Sequence, residues 1–374
     1  MVVKNEPRGV AGISLSRLLV LFLKIGCIGF GGGMCIIALV EREVVTRRKL
    51  LPLEEFLHGV GFGQILGSFA VNAALFVGCR LYGPLGGVLS AGAFLLPSVA
   101  LVIGLSQLYF QYHSIPAMQA AVAGLGPVVV ALILDAGWSI GRKVVRSRSA
   151  ALIALAALAA GIAKVNTVWV LLCAGALSYA LLSRGEKRAK EAPALLLAGV
   201  PAAGVASLGA TFFKIGLVFF GGGFVLVPML HEQLVTGLHW LTSQEFIDGV
   251  AISNLTPGPI AVLATFAGFH LAGVPGALLA TVALLAPGLL LMLLLARQYE
   301  RLQGDSRVQR FLCGVNPAVT GLVLSAAFLI GGGSLTTWRA WLLAAVSLAM
   351  LRKLEWHPAA ALAVGAAAGF WGFV

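Results

Sequence analysis

Residues 24–33 read KIGCIGFGGG, and residues 214–223 read KIGLVFFGGG. Each stretch places one lysine inside an apolar run and closes on three glycines. The offset of 190 that aligns them keeps aligning residues further out. Glu55-Phe56 falls on Glu245-Phe246, Gly59-Val60 on Gly249-Val250, Gly78 on Gly268, Gly83 on Gly273 and Gly86 on Gly276. Pro97 falls on Pro287, Tyr109 on Tyr299, and Gly124 and Pro127 on Gly314 and Pro317. About three in ten aligned positions are identical, roughly twice what two oily segments share by chance. The chain therefore reads as a duplicated unit. One repeat covers 1–183, a charged linker 184–191, and a second repeat 192–374.

The composition says where such a unit lives. Of 374 residues, 59% are hydrophobic and only 11% charged, with a mean hydropathy of +0.98. Soluble domains carry about 25% charged residues. Apolar runs of about 17–25 residues recur along the chain, the length that spans a hydrocarbon layer of about 30 Å. They do not alternate as barrel strands do. The fold class expected is an all-α polytopic membrane protein. The N-terminal apolar run lacks a signal-peptide cleavage pattern. Cys27, Cys35, Cys79, Cys173 and Cys313 are scattered without CxxC or Cys/His clustering, so they read as small hydrophobes and no metal site is expected. The net charge of +12 lies in short loops, as the positive-inside bias requires, and no soluble basic domain is there to hold nucleic acid.

Charge also orients the repeats. Arg42, Arg47, Arg48 and Lys49 follow the first span, and Arg142, Lys143, Arg146 and Arg148 follow the fourth segment. The matching loops near 232–239 and 332–338 hold no Lys or Arg. Conversely, the loop near 107–120 has none, while its partner carries Arg297, Arg301, Arg307 and Arg310. The basic loops change sides, which predicts two inverted-topology repeats. Inversion needs an odd number of spans per repeat, yet six apolar segments are visible: 15–40, 54–80, 84–110, 117–140, 149–163 and 167–183. The second segment and its mate at 244–270 are the candidates not to cross. The mate holds Asn254-Leu-Thr-Pro-Gly-Pro259, where proline removes a donor and glycine loosens the backbone. A broken re-entrant hairpin leaves about five spans per repeat. Such backbone survives at membrane depth only when buried in protein or lining a wet cavity. Trp138, Trp240, Trp338, Trp341 and Trp356 fall near proposed span ends, where interfacial anchors belong.

The candidate substrate-binding residues cluster at the breaks. Gly31, Gly32 and Gly33, with Gly221, Gly222 and Gly223, have two readings: close helix packing, or unwinding that bares N–H groups before a restarted helix. Lys24 and Lys214 lie about two turns earlier, and either contact substrate or snorkel to an interface. The second hairpin offers Asn254, Thr256, Pro257, Gly258 and Pro259. The first offers Gln64 and Ser68 at matching positions, followed by Asn72. These polar groups either bind substrate or re-satisfy a broken helix. Glu55, His58, Glu245 and Asp248 read as helix-start charges at an interface or as coupling sites, and His231-Glu232 as a gate. Asp135, matched by Ser325, reads as structural. No HExxH, GxSxG, Walker or dinucleotide motif is present, so neither an enzyme nor a cofactor is expected.

These marks resemble the chromate ion transporters. They are KIGxxxFGGG at 24–33 and 214–223, GVAISNLTPGP at 249–259, FLLPS at 94–98 and APG at 286–288. The resemblance covers about 14–183 and 204–374. It implies efflux of chromate, with sulfate as a mimic, across the cytoplasmic (plasma or inner) membrane by a multi-pass protein. Some relatives are separate short chains that work in pairs, so a second copy is one candidate partner beside the oxyanion and the lipid bilayer. The family's first repeat usually carries its own Pro-Gly-Pro, where this chain has Gly67-Ser68-Phe69. The two hairpins are then unequal, one suited to bind and the other to gate. A channel or exchanger for another anion, and a non-transporting membrane scaffold, stand as the alternative functions.

Overall fold

The computed structural model describes residues 13–29, 33–53, 55–56, 59–60, 63, 66–112, 115–182, 205–219, 225–302, 306–354 and 356–373. Among them the protein is helical throughout, with no strand. The first half holds α1 (Leu15–Ile28), α2 (Gly33–Glu41), a π-turn (Arg42–Arg47), α3 (Phe69–Tyr112), α4 (Pro116–Ala123), α5 (Leu125–Val144), α6 (Arg148–Ile162) and α7 (Thr167–Leu182). The second holds α8 (Val205–Val218), α9 (Leu226–Leu230), a π-turn (His231–Gly237), α10 (Ser243–Leu255), a short 3-10 turn (Ile260–Val262), α11 (Leu263–Leu302), α12 (Ser306–Ser334), α13 (Trp338–Lys353) and α14 (Pro358–Phe370). The offset of 190 recurs in the boundaries: 15 against 205, 28 against 218, 144 against 334, and 148 against 338. The same caps set it locally. Ser147 and Thr337, 190 apart, each accept the N–H three residues on, at 3.1 and 3.2 Å.

Among the described residues four segments, 70–112, 118–142, 260–294 and 314–334, are long and apolar enough to cross a membrane. Two of them are not straight. At Tyr82-Gly83 the dihedrals leave the helical region, with φ +71° at Gly83, and at Gly273 φ is +60°. A Cβ on Gly78 would collide with the Gly86 carbonyl, and one on Gly268 with that of Gly276. Residues eight apart in a straight helix are separated by about 12 Å. The chain therefore doubles back at both places, and each long element is an arm, 69–81 or 263–272, packed glycine to glycine against the span that follows it.

Two further glycines set the first span of each half. A Cβ on Gly26 would overlap the Phe94 carbonyl, and one on Gly216 the Leu284 carbonyl. Pro97 and Pro287 stand beside these contacts, at 3.2 and 3.1 Å from the same built Cβ positions. Proline inside a helix frees carbonyls of the preceding turn, and glycine lets the neighbouring backbone approach them. α1 thus packs on α3, and α8 on α11.

The halves exchange their other helices. α12 lies against α6 and α7 of the first half, while α5 lies against α13 and α14 of the second. Gly314 abuts the Ala174 carbonyl, and Gly124 abuts the Gly365 carbonyl. Arg352 pairs with Asp135 at 3.6 Å and covers the Trp138 ring at 4.5 Å, fastening α13 to α5. The core is continuous through both halves and includes Phe22, Phe76, Phe94, Phe212, Phe246 and Phe266.

Candidate functional site

The helix breaks come together, each against the other half. α1 stops at Ile28 with Gly29 as its cap, and the Gly29 carbonyl accepts the N–H of Gly258 at 2.9 Å. The residue 190 after Gly29 is Phe219, just beyond α8, and its carbonyl lies 2.6 Å from a Cβ built on Gly67. The end of each first span therefore meets the hairpin break of the opposite repeat. Both breaks use left-handed backbone, at Gly67 (φ +90°) and Gly258 (φ +118°), which glycine alone adopts without cost.

The two breaks differ in how their polar groups are used. In the second, Ser253 Oγ donates to Gly249 O (2.7 Å), Asn254 Nδ2 to Val250 O (2.8 Å) and Thr256 Oγ1 to Ser253 O (3.1 Å). These donors serve their own helix. Pro257 O accepts the Ser98 hydroxyl from α3. In the first break, Asn72 Nδ2 reaches back to Leu66 O at 3.0 Å and Gly63 O at 3.5 Å. Ser68 stands at the start of arm 69–81, only 5% exposed, and its hydroxyl has no partner among the described residues. The first N–H groups of that arm have no acceptor within the helix, and they carry its positive end. Ser68 and Asn72 line a small pocket with Leu66 and Val71, walled on the other side by Gly216 and Phe219 of the α8 end and by Leu284, Leu285, Gly288 and Leu289 of α11.

The remaining candidates lie elsewhere. Lys24 is on the exposed face of α1, opposite the packed face of Leu18, Leu21, Phe22 and Ile25. Lys214, its mate, is half-buried. Glu55 pairs with Arg80, and at the matching positions Glu245 lies 4.0 Å from His270. Glu245 also closes a capping box with Thr242. Asp248 is 1% exposed and accepts hydrogen bonds from Tyr109 Oη (2.6 Å) and Gln244 Nε2 (2.9 Å). His231 meets the Phe246 ring edge-on at 5.2 Å, and Glu232 accepts the Thr167 N–H at 3.0 Å. Pro259 is buried and leads into the 3-10 turn; Gly33 opens α2. Gly31, Gly32, His58, Gln64, Gly221, Gly222 and Gly223 lie outside the described residues.

Comparison with known proteins supplies the lineage of this arrangement. The model of the chromate transporter family matches residues 16–179 and again 206–370. The chain belongs to the chromate transporter family. Its match is double, one copy per half, and the two copies start 190 residues apart. This chromate transporter family member is 31% identical to the probable chromate transport protein of Synechococcus elongatus, over 91% of each chain. It is 28% identical to the chromate transport protein of Cupriavidus metallidurans, over 91% of this chain and 89% of that one. With the chromate transport protein of Pseudomonas aeruginosa it shares 32% identity over 83% and 80%. No solved structure matches. The family is one of membrane transport and not of enzymes, and its helices make this member a multi-pass membrane protein.

Three features escaped the sequence: the cross-pairing of breaks, the Ser98 clasp and the Tyr109–Asp248 bond. Ser98 was visible as the last letter of FLLPS, and Tyr109 through its mate Tyr299. Nothing in either pattern names a partner 139 or 159 residues away.

Proposed function

We propose that this protein is a secondary transporter that exports an oxyanion such as chromate, with sulfate as a mimic, across the cytoplasmic membrane. The observation that carries this reading is the Ser68 pocket: an unpartnered buried hydroxyl and the positive end of arm 69–81, facing the other half. A tetrahedral oxyanion accepts from just such donors. The pocket is small in this conformation, so anion entry requires the halves to part, and their rocking around the breaks gives alternating access. The alternation of basic loops supports inverted repeats with re-entrant arms. Direction follows from charge. Moving one charge across 100 mV is worth about 2.3 kcal/mol, so a dianion leaving a negative-inside cell gains about 4.6 kcal/mol. Export then needs no pump, and Asp248 and Glu245 serve to hold or couple the arms.

Counterflow in proteoliposomes tests this. Vesicles preloaded with unlabelled sulfate should transiently accumulate labelled chromate or sulfate, saturably, and Ser68→Ala should raise the half-saturating concentration at least tenfold. Flux without saturation or counterflow would make the protein a channel. No flux of chromate, sulfate or molybdate under any gradient would make it a scaffold.

A further inference from the structure

The two breaks are equivalent by position, yet they are not alike, and a pocket opens beside Ser68 at the first. The difference lies in the span facing each break. Ser98 of α3 and Gly288 of α11 are 190 apart, and each faces the break of the opposite half. Ser98 is fully buried, and its hydroxyl donates to Pro257 O. A Cβ on Gly258 would collide with that hydroxyl, so Ser98 fills the corner completely. Gly258 N–H is meanwhile spent on Gly29 O. In the other corner Gly288 has no side chain to donate. Its backbone faces Leu66 O, 2.7 Å from where its Cβ would stand, and it lines the pocket beside Ser68. The left-handed residue also moves by one position: Gly67 is the mate of Pro257, and Ser68 the mate of Gly258. Ser68 thereby occupies the place of the glycine whose N–H is tied off in the second break.

We propose that the Ser98/Gly288 exchange gives the transporter one anion half-site instead of two: Gly288 keeps the Ser68 corner open, and Ser98 permanently occupies the pseudo-equivalent one. Gly288 is a positioning residue that sets the width of the site, and Ser98 is a clasp outside it. This rests on the oxyanion reading above and adds stoichiometry and the residue that controls access.

The test is equilibrium binding of labelled sulfate and chromate to the purified full chain in detergent, with thermal melting as the fold control. Wild type should bind one anion per chain. Ser98→Ala should keep that number and bind within twofold of wild type, although it melts lower. Ser68→Ala should bind at least tenfold more weakly. Gly288→Ala, whose Cβ would stand 2.7 Å from Leu66 O, should melt below wild type and, in the folded protein, lose binding at least tenfold. Two anions per chain would overturn the proposal. So would a loss in Ser98→Ala equal to that in Ser68→Ala, or unaltered binding in a folded Gly288→Ala. If Gly288→Ala does not fold, the contrast between Ser68→Ala and Ser98→Ala decides. No binding of either anion by wild type would instead remove the oxyanion reading itself.

Discussion

Asp248 is the most buried acidic residue among the described residues. It sits 1% exposed between Tyr109 of the first half and Gln244 of its own helix. A hydrogen bond to a charged group contributes about 1.5–3 kcal/mol, and a buried acceptor left bare costs a comparable amount. Tyr109→Phe should therefore destabilise by about 2 kcal/mol, read as a lower melting temperature in detergent. Asp248→Asn, which keeps an acceptor for Tyr109, should cost less. Equal melting of Tyr109→Phe and wild type would show that the bond adds nothing. Singling out Asp248 was possible from sequence because acids are rare in this chain. Its partner was not, because a tyrosine near a span end reads equally well as an interfacial anchor. Lysine shows the opposite case. Lys24 and Lys214 share a repeat position and read alike, yet one side chain is exposed and the other half-buried. Exposure depends on which helices crowd a face, and that is decided far from the residue itself.

Elements were easier to read. The described parts of the six apolar segments of the first half are helical apart from the breaks, because hydropathy over about 20 residues is a strong signal. The break at Thr256–Pro259 followed from the chemistry of proline and glycine. The first break, at Leu66–Ser68, lacks proline and was visible only through register with the second. What the pattern could not give is how elements touch. The Gly26–Phe94 and Gly216–Leu284 approaches are made by backbone, which hydropathy ignores. These contacts predict a matched pair of failures. Gly26→Val and Gly216→Val should each force α1 or α8 away from its proline-bearing neighbour and cost about 1–3 kcal/mol or more. Gly92→Ala, with open space around the added methyl, should be neutral or stabilise by up to about 1 kcal/mol. Thermal melting of the three variants checks the set. A Gly26→Val protein as stable as Gly92→Ala would mean the helices do not approach closely.

At the scale of the molecule, the inversion of the repeats is the expectation with the widest reach. Arg146 and Thr336 are 190 apart and both exposed, in the loops after α5 and α12. In a cysteine-free background, Arg146→Cys and Thr336→Cys should react with an impermeant thiol reagent from opposite sides of the membrane. Labelling from one side would make the repeats parallel. The duplication was legible because glycines and prolines hold register when apolar letters drift. The exchange of helices between halves was not, since any Leu-rich face can pack on any other. That exchange carries a consequence for how such a chain came to exist. With α12 seated on α6 and α7, and α5 on α13 and α14, neither copy can complete its own interior. A lone ancestor of half the length would have been an unfinished solid, stable only when clasped to a second copy. Fusion of the two genes would have preserved that embrace, and from then on let the twin corners diverge, a serine in one and a bare glycine in the other.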